Sequence, residues 1–260
     1  MAIMFQGTAI PLDQDGIDEV ADRLRVGAAE LWAVLTVETR GFGFLPDRRP
    51  LILFERHIFR RETGGRFDAT HPNLSNPRPG GYGSGGVAQY ERLARAIQLD
   101  RPAALRSASW GLGQIMGFNA HSAGFADVEK LTKEMAESEN SQLTGLANFI
   151  QHIRADRALR RRDWTTFARL YNGTNFARNR YDIRLAAAFR RHNAGPLPDL
   201  VVRAGQAYLT YLGFDPGPVD GLLGRFTRSA WHEFLEQHGL PLNDEFDEEA
   251  VATLKQAALP

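Results

Sequence analysis

Apolar residues recur three and four positions apart along most of the chain. Ile17, Val20, Ala21 and Leu24 make one such stripe, and Leu31, Val34 and Leu35 make the next. The pattern returns at Tyr90, Leu93, Ala94 and Ile97, then at Val128, Leu131 and Met135, and again at Leu143, Leu146, Ala147 and Ile150. Trp164, Phe167, Ala168 and Tyr171 form a further stripe, with Asp163 placed to cap its first turn. This spacing predicts a mainly α protein with little sheet. Only Leu51–Phe54, after Pro50, is an apolar run too short for periodicity to assign to strand or helix. Residues 73–86 hold five glycines among prolines and asparagines and read as a long loop, which inside a compact domain is commonly functional.

The chain has 260 residues, enough for one large or two unequal domains, and 43% hydrophobic residues can fill a sizeable core. Its 31 basic and 31 acidic residues cancel, which excludes a wholesale basic nucleic-acid binder. The cancellation is uneven. From Pro196 onward there are 4 basic and 10 acidic residues, a net of −6, so the first 195 carry +6. The turn-prone stretch Asn193–Pro198 lies where the sign changes, so the expected units are residues 1–195 and 199–260. Between Ile150 and Arg191, 11 arginines face 3 aspartates. That stretch is either a solvated helix face or a surface that steers the protein toward an anionic polymer.

With no cysteine, disulfide scaffolds, zinc ribbons and cysteine nucleophiles are excluded. The seven histidines form no His-Glu-x-x-His, and Ser109 lacks the Gly-x-Ser-x-Gly frame, so neither a metal nor another cofactor is expected. Leu31–Val37, the densest apolar stretch, is far below the ~18 residues of a membrane span. Ile10 and Leu12 are followed at once by Asp13 and Asp15, and the first basic residue is Arg23, so no secretory signal is expected at the start. The expectation is synthesis in the cytoplasm, with any action elsewhere requiring another route.

Glu38 is the first candidate for chemistry. It lies seven residues after Leu31, on the face that should be buried, and its helix should end at Gly41. Burial raises a carboxyl pKa, and an acid still protonated near neutral pH can donate its proton to a glycosidic oxygen. The alternative is a structural glutamate bonded to a backbone donor or paired with Arg40 or a remote arginine. Glu55 follows the Leu51–Phe54 run and precedes Arg56 and His57. It is either a second catalytic carboxylate or half of a Glu–Arg pair, with Asp68, Glu91 and Asp100 as other carboxylates that could serve.

Around these acids stand Ser109-Trp-Gly-Leu-Gly-Gln114-Ile-Met116 and Tyr171-Asn172-Gly173. The order Glu, Ser-x-Gly-Leu-x-Gln, Tyr-Asn-Gly resembles the signature of goose-type lysozymes and lytic transglycosylases. A wider resemblance runs through Val37–Phe44, Leu53–His57, Gly80–Tyr82, Ala108–Asn119 and Ala168–Gly173. These segments are similar to the N-acetylmuramidase domain of phage endolysins. Thr39 where serine follows the Glu, and Gly113 where a bulky apolar residue is common, are mild departures. The resemblance implies a lysozyme-like catalytic domain with Glu38 as the acid and Ser109, Gln114, Tyr171 and Asn172 lining the substrate cleft. The implied activity is hydrolysis of the bond between N-acetylmuramic acid and N-acetylglucosamine. A transglycosylase ending in an anhydro product and a non-catalytic wall-binding virion protein are the alternatives.

The last ~62 residues carry Val219-Asp220-Gly221-Leu-Leu-Gly224-Arg-Phe-Thr227 before a stripe of Ala230, Trp231, Phe234 and Leu235. This segment resembles the peptidoglycan-binding type 1 domain, a small three-helix wall-binding unit. The resemblance implies cell-wall contact around Asp220, Gly221, Gly224 and Thr227, the last a fitting helix N-cap, although Gly221 and Gly224 also suit purely structural turns. The expected partners are peptidoglycan glycan strands and anionic envelope polymers, met by a monomer without nucleic-acid binding or membrane insertion. The expected place of action is the cell wall, reached from the host cytoplasm through a membrane lesion.

Overall fold

A computed structural model of the protein describes residues 4–174 and 176–259. The six helical stripes of the first 172 residues become α1 (Gln14–Leu24), α2 (Ala28–Thr39), α4 (Val87–Leu99), α6 (Val128–Glu137), α7 (Glu139–His152) and α9 (Trp164–Asn172). Between them lie four helices that the stripes do not predict: α3 (Arg56–Glu62), α5 (Arg101–Arg106), α8 (Asp156–Arg160) and α10 (Tyr181–Ala194). The first three are seven residues or shorter, too brief to show a period, while α10 buries Leu185, Ala188, Phe189 and His192 at helical spacing between flanking arginines.

Side-chain caps fix where several helices start. Asp13 accepts from Gly16 N–H, Asp127 from Lys130 and Asp163 from Thr166, each satisfying an otherwise orphan donor. The helix α2 is buried almost all round, with Leu31 through Leu35 enclosed, and packs along α10. Its end lies just after Glu38, with Arg40 as the C-cap and Gly41 next, at C′. Arg40 already takes the left-handed conformation (φ 61°), and Gly41 follows it at φ 89°.

The ambiguous apolar run is a strand. β1 (Ile52–Phe54), β2 (Ala108–Trp110) and β3 (Ile115–Met116) form an antiparallel sheet in the order β1-β2-β3, with Ile52 opposite Trp110. Loop 73–86 contains no helix or strand. Two α4 side chains gather its carbonyls: Gln89 donates to Tyr82 and Ser84, and Arg92 to Asn73, Gly81 and Tyr82. Gly81 sits at φ +67°, where a Cβ would lie 2.7 Å from the Arg56 guanidinium.

Three more helices follow: α11 (Leu200–Tyr211), α12 (Arg225–Gln237) and α13 (Glu248–Ala258). They enclose a second apolar cluster around Leu209, Trp231, Phe234 and Leu254, separate from the larger core that runs from Leu12 to Phe189. The two clusters are joined by polar bonds. Arg203 of α11, fully enclosed, forms a bidentate pair with Glu139 at 2.6 and 2.7 Å, and the Tyr211 hydroxyl donates to the Ala9 carbonyl. Thr227 does not cap α12 as its position suggested. The cap is Gly224, and Thr227 lies buried in the first turn, donating to the Pro216 carbonyl.

Candidate active site

Glu38 stands in the last turn of α2, half-buried. Three bonds hold this helix end. Thr39 Oγ1 donates to the Leu112 carbonyl at 3.1 Å, Arg184 of α10 donates to the Val37 carbonyl at 2.9 Å, and Gly41 N–H donates to Leu35. Asn172, the final residue of α9, donates its Nδ2 to Glu38 Oε1 at 3.1 Å. Burial pushes the Glu38 carboxyl up to about 7, against the opposing pull of the Asn172 hydrogen bond and the Arg184 charge. Arg40, the partner weighed for Glu38 from sequence, forms no ion pair with it among the described residues; Asn172 takes that place.

Glu55 precedes α3, and its surroundings also differ from expectation. Its Oε1 accepts from the Tyr82 hydroxyl at 2.9 Å, and its Oε2 lies 3.0 Å from His57 Nδ1. Arg56 instead reaches the Arg78 carbonyl, so the Glu–Arg pair is replaced by a Tyr–Glu–His group. Glu55 Oε2 and His57 Nδ1 are buried without a well-aligned hydrogen bond, as is Asn172 Oδ1. Tyr181, at the start of α10, has its hydroxyl pKa raised by burial, then by the charges of both Glu38 and Glu55. The two acids therefore share a neighbour. Tyr82 is pushed up to about 12 by burial and by Glu55.

Tyr171 stacks on Phe167 and donates its hydroxyl to the Gly113 carbonyl at 2.6 Å, which ties α9 to the turn after β2. Gln114, at φ 48°, accepts from Ser109 at 2.8 Å and donates to Leu51 and Gly111. Both amide hydrogens of Gln114 are thus spent inside the sheet. Ser109 and Gln114 brace β2 and the turn after it, whereas Asn172, bonded to Glu38, keeps an unmet polar atom. Of the other carboxylates, Asp68 is tied to Arg60 and Ser75, and Asp100 caps α5 and pairs with Arg66. Glu91 is exposed on α4.

In the C-terminal unit the four proposed wall contacts surround one buried amide, Gln206. It donates to Thr227 and the Leu222 carbonyl and accepts from the backbone of Asp220 and Gly221. Asp220 accepts from Leu222 N–H, and a Cβ on Gly221 would lie 2.7 Å from the Asp199 backbone. Gly224 starts α12. These residues build a turn, and the exposed apolar groups beside it are Leu222 and Phe226.

Tyr82, His57, Tyr181 and Arg184 were given no role from sequence. Tyr82 alone carried a signal, an aromatic residue inside a glycine-rich loop. Among the described residues no cluster of three or more metal-ligating side chains occurs, and no helix is long and apolar enough to cross a membrane.

The crystal structure of the Burkholderia AP3 phage endolysin is similar to this chain at 42% identity and a TM-score of 0.64, over 71% of this chain and 72% of that one. No curated protein matches the chain. Residues 200–254 match the putative peptidoglycan binding domain, and residues 27–193, more than half of the chain and including both Glu38 and Glu55, match the N-acetylmuramidase family. By that match the chain belongs to the N-acetylmuramidases, enzymes that cleave peptidoglycan.

Proposed function

We propose that the chain acts as a phage endolysin and glycoside hydrolase, cutting between N-acetylmuramic acid and N-acetylglucosamine with Glu38 as general acid. The observation that carries this reading is a carboxyl withdrawn from water and raised to about 7, held by Asn172 at a helix end. Glu38 then remains substantially protonated at neutral pH and can protonate the leaving glycosidic oxygen. Positive charge develops on the sugar as that bond breaks. Glu55, aligned by Tyr82 and beside His57, is the group suited to stabilise that charge or to orient the attacking water. Asn172 Oδ1, buried and unmet, suits an N-acetyl amide N–H.

Ordered water beside Glu55 would favour hydrolysis over the intramolecular attack that gives anhydro ends. Mass spectrometry of muropeptides released from purified sacculi tests this: reducing ends support the reading, and anhydromuramic ends replace it with a lytic transglycosylase. A turbidity assay on outer-membrane-permeabilised cells separates either enzyme from a wall-binding protein without activity. Access to the wall in an infected cell is proposed to follow a membrane lesion.

Asn172 also offers a test of sign. Its hydrogen bond lowers the Glu38 pKa, so Asn172→Ala should raise it. The basic limb of the kcat/KM profile, where Glu38 loses its proton, should move to higher pH while kcat falls. A limb that stays in place would remove Asn172 from the acid's environment.

The arginine-rich stretch supports steering only in part. Arg162 pairs with the buried Glu30 at 2.7 Å and lies over Phe189, and Arg160 holds Asp156 and the Leu24 carbonyl. Arg157, Arg161 and Arg190 are exposed and make no ion pair among the described residues. Replacing these three with Gln should flatten the salt dependence of wall lysis without changing thermal stability, whereas Arg162→Gln should lower the Tm. Identical salt curves for the triple variant and the parent would make the arginines a solvated face.

A further inference from the structure

The helix end that carries Glu38 continues into Gly41-Phe42-Gly43, and this loop is gripped from the C-terminal unit. Arg203 Nε and Nη2 donate to the Gly41 carbonyl at 3.1 and 2.5 Å, while the guanidinium binds both oxygens of Glu139. Glu139 in turn accepts from Gly43 N–H and Leu12 N–H, each at 2.8 Å. The same guanidinium lies 5.7 Å from the Trp32 ring on α2 and 5.4 Å from the Phe42 ring. Arg203 and Glu139 are both fully buried, and Leu51 N–H closes the far side of the loop onto Gly43.

We propose that Arg203 is a positioning residue for catalysis: a side chain of the peptidoglycan-binding unit that, through Glu139 and the Gly41–Gly43 loop, fixes the helix end bearing the general acid. The inference rests on Glu38 being that acid. A fork that chelates a carbonyl and a carboxylate together resists sliding in a way a point charge does not. Because removal of Arg203 would leave a buried carboxylate and a buried carbonyl unmet, water should enter at this helix end. The C-terminal unit is then part of the active-site scaffold as well as a wall anchor.

The test uses full-length Arg203→Lys and Glu139→Gln, which keep the charge of one partner and the shape of the other. Cleavage is followed on a short soluble glycan of alternating N-acetylglucosamine and N-acetylmuramic acid, and the Glu38 carboxyl is titrated by carbon NMR. Misplacement of a reacting group by about 1 Å costs on the order of 10²-fold. The expected result is a kcat lowered by roughly tenfold to that limit, with KM nearly unchanged and sacculus binding intact. The Glu38 midpoint should move down as water reaches it. The side chains that set it, Asn172 on α9 and Arg184 on α10, are untouched, as are Tyr171 and Tyr181, whose hydroxyls feel the Glu38 charge. Arg203→Lys keeps the positive charge, so a lowered midpoint in that variant reports water entry, whereas Glu139→Gln removes a negative charge that would lower the midpoint by itself and is read through kcat. A lower Tm with parental kcat and an unmoved or raised midpoint would overturn the proposal and leave the pair as scaffold. If the parent itself fails to cleave the glycan, the functional reading fails, while a lowered midpoint still reports the positioning.

Discussion

Glu38→Gln should lose nearly all turnover and, above neutral pH, be more stable than the parent. The amide keeps the shape of the acid and can still accept from Asn172, but it has no proton of the right acidity to give to a glycosidic oxygen. General acid catalysis is worth on the order of 10²–10⁴-fold, which sets the expected fall in kcat. The stability effect follows from linkage. Burial raises the Glu38 carboxyl to about 7 in the fold, from its ordinary value of 4.5. Below the lower value both states are protonated and nothing is lost. As pH rises toward 7 the unfolded chain ionises first, so the native state is progressively penalised. The penalty reaches about 3 kcal/mol once both states are ionised. Gln carries no such penalty, so the difference in Tm between variant and parent should be small at pH 4 and largest near pH 8. A well-folded variant that still lyses walls at the parental rate would move the acid's role to another carboxylate.

The second large effect concerns the join between the two units. The charge reversal and the turn-prone Asn193–Pro198 stretch describe a linker between independent modules, so residues 1–195 should fold alone and lose only wall attachment. The buried Arg203–Glu139 pair changes that expectation. Truncation after Gly195 removes Arg203 and leaves Glu139, the Gly41 carbonyl and the faces of Trp32 and Phe42 without their partner. Breaking a buried ion pair from one side costs roughly 3–5 kcal/mol. The truncated protein should therefore unfold at markedly lower denaturant than the full chain, measured by circular dichroism. A midpoint equal to that of the full chain would restore the simple modular picture.

These two cases show what the sequence could express. Helices whose buried face repeats every three to four residues, such as α1, α4 and α7, are legible because one face must be apolar. So is Glu38, since a carboxylate on such a face is conspicuous. Contacts between distant segments leave no local trace. Asn172 lies 134 residues from Glu38, Tyr82 lies 27 from Glu55, and Arg203 lies 64 from Glu139. Arg203 interrupts an otherwise apolar stretch of α11, which reads as exposure until a buried acid is seen opposite it. Ser109 and Gln114 show the reverse problem. Polar residues in a cleft motif invite a substrate-facing role, yet their hydrogen bonds close inward and shape the sheet.

Direct titration of the Glu38 carboxyl addresses the central claim, that a desolvated acid near neutrality performs the chemistry. Carbon-13 NMR of glutamate-labelled protein, with the resonance assigned by its absence in Glu38→Gln, should give a midpoint of about 7. A midpoint at the ordinary carboxylate value near 4.5 would mean that Glu38 is ionised at working pH and cannot be the proton donor.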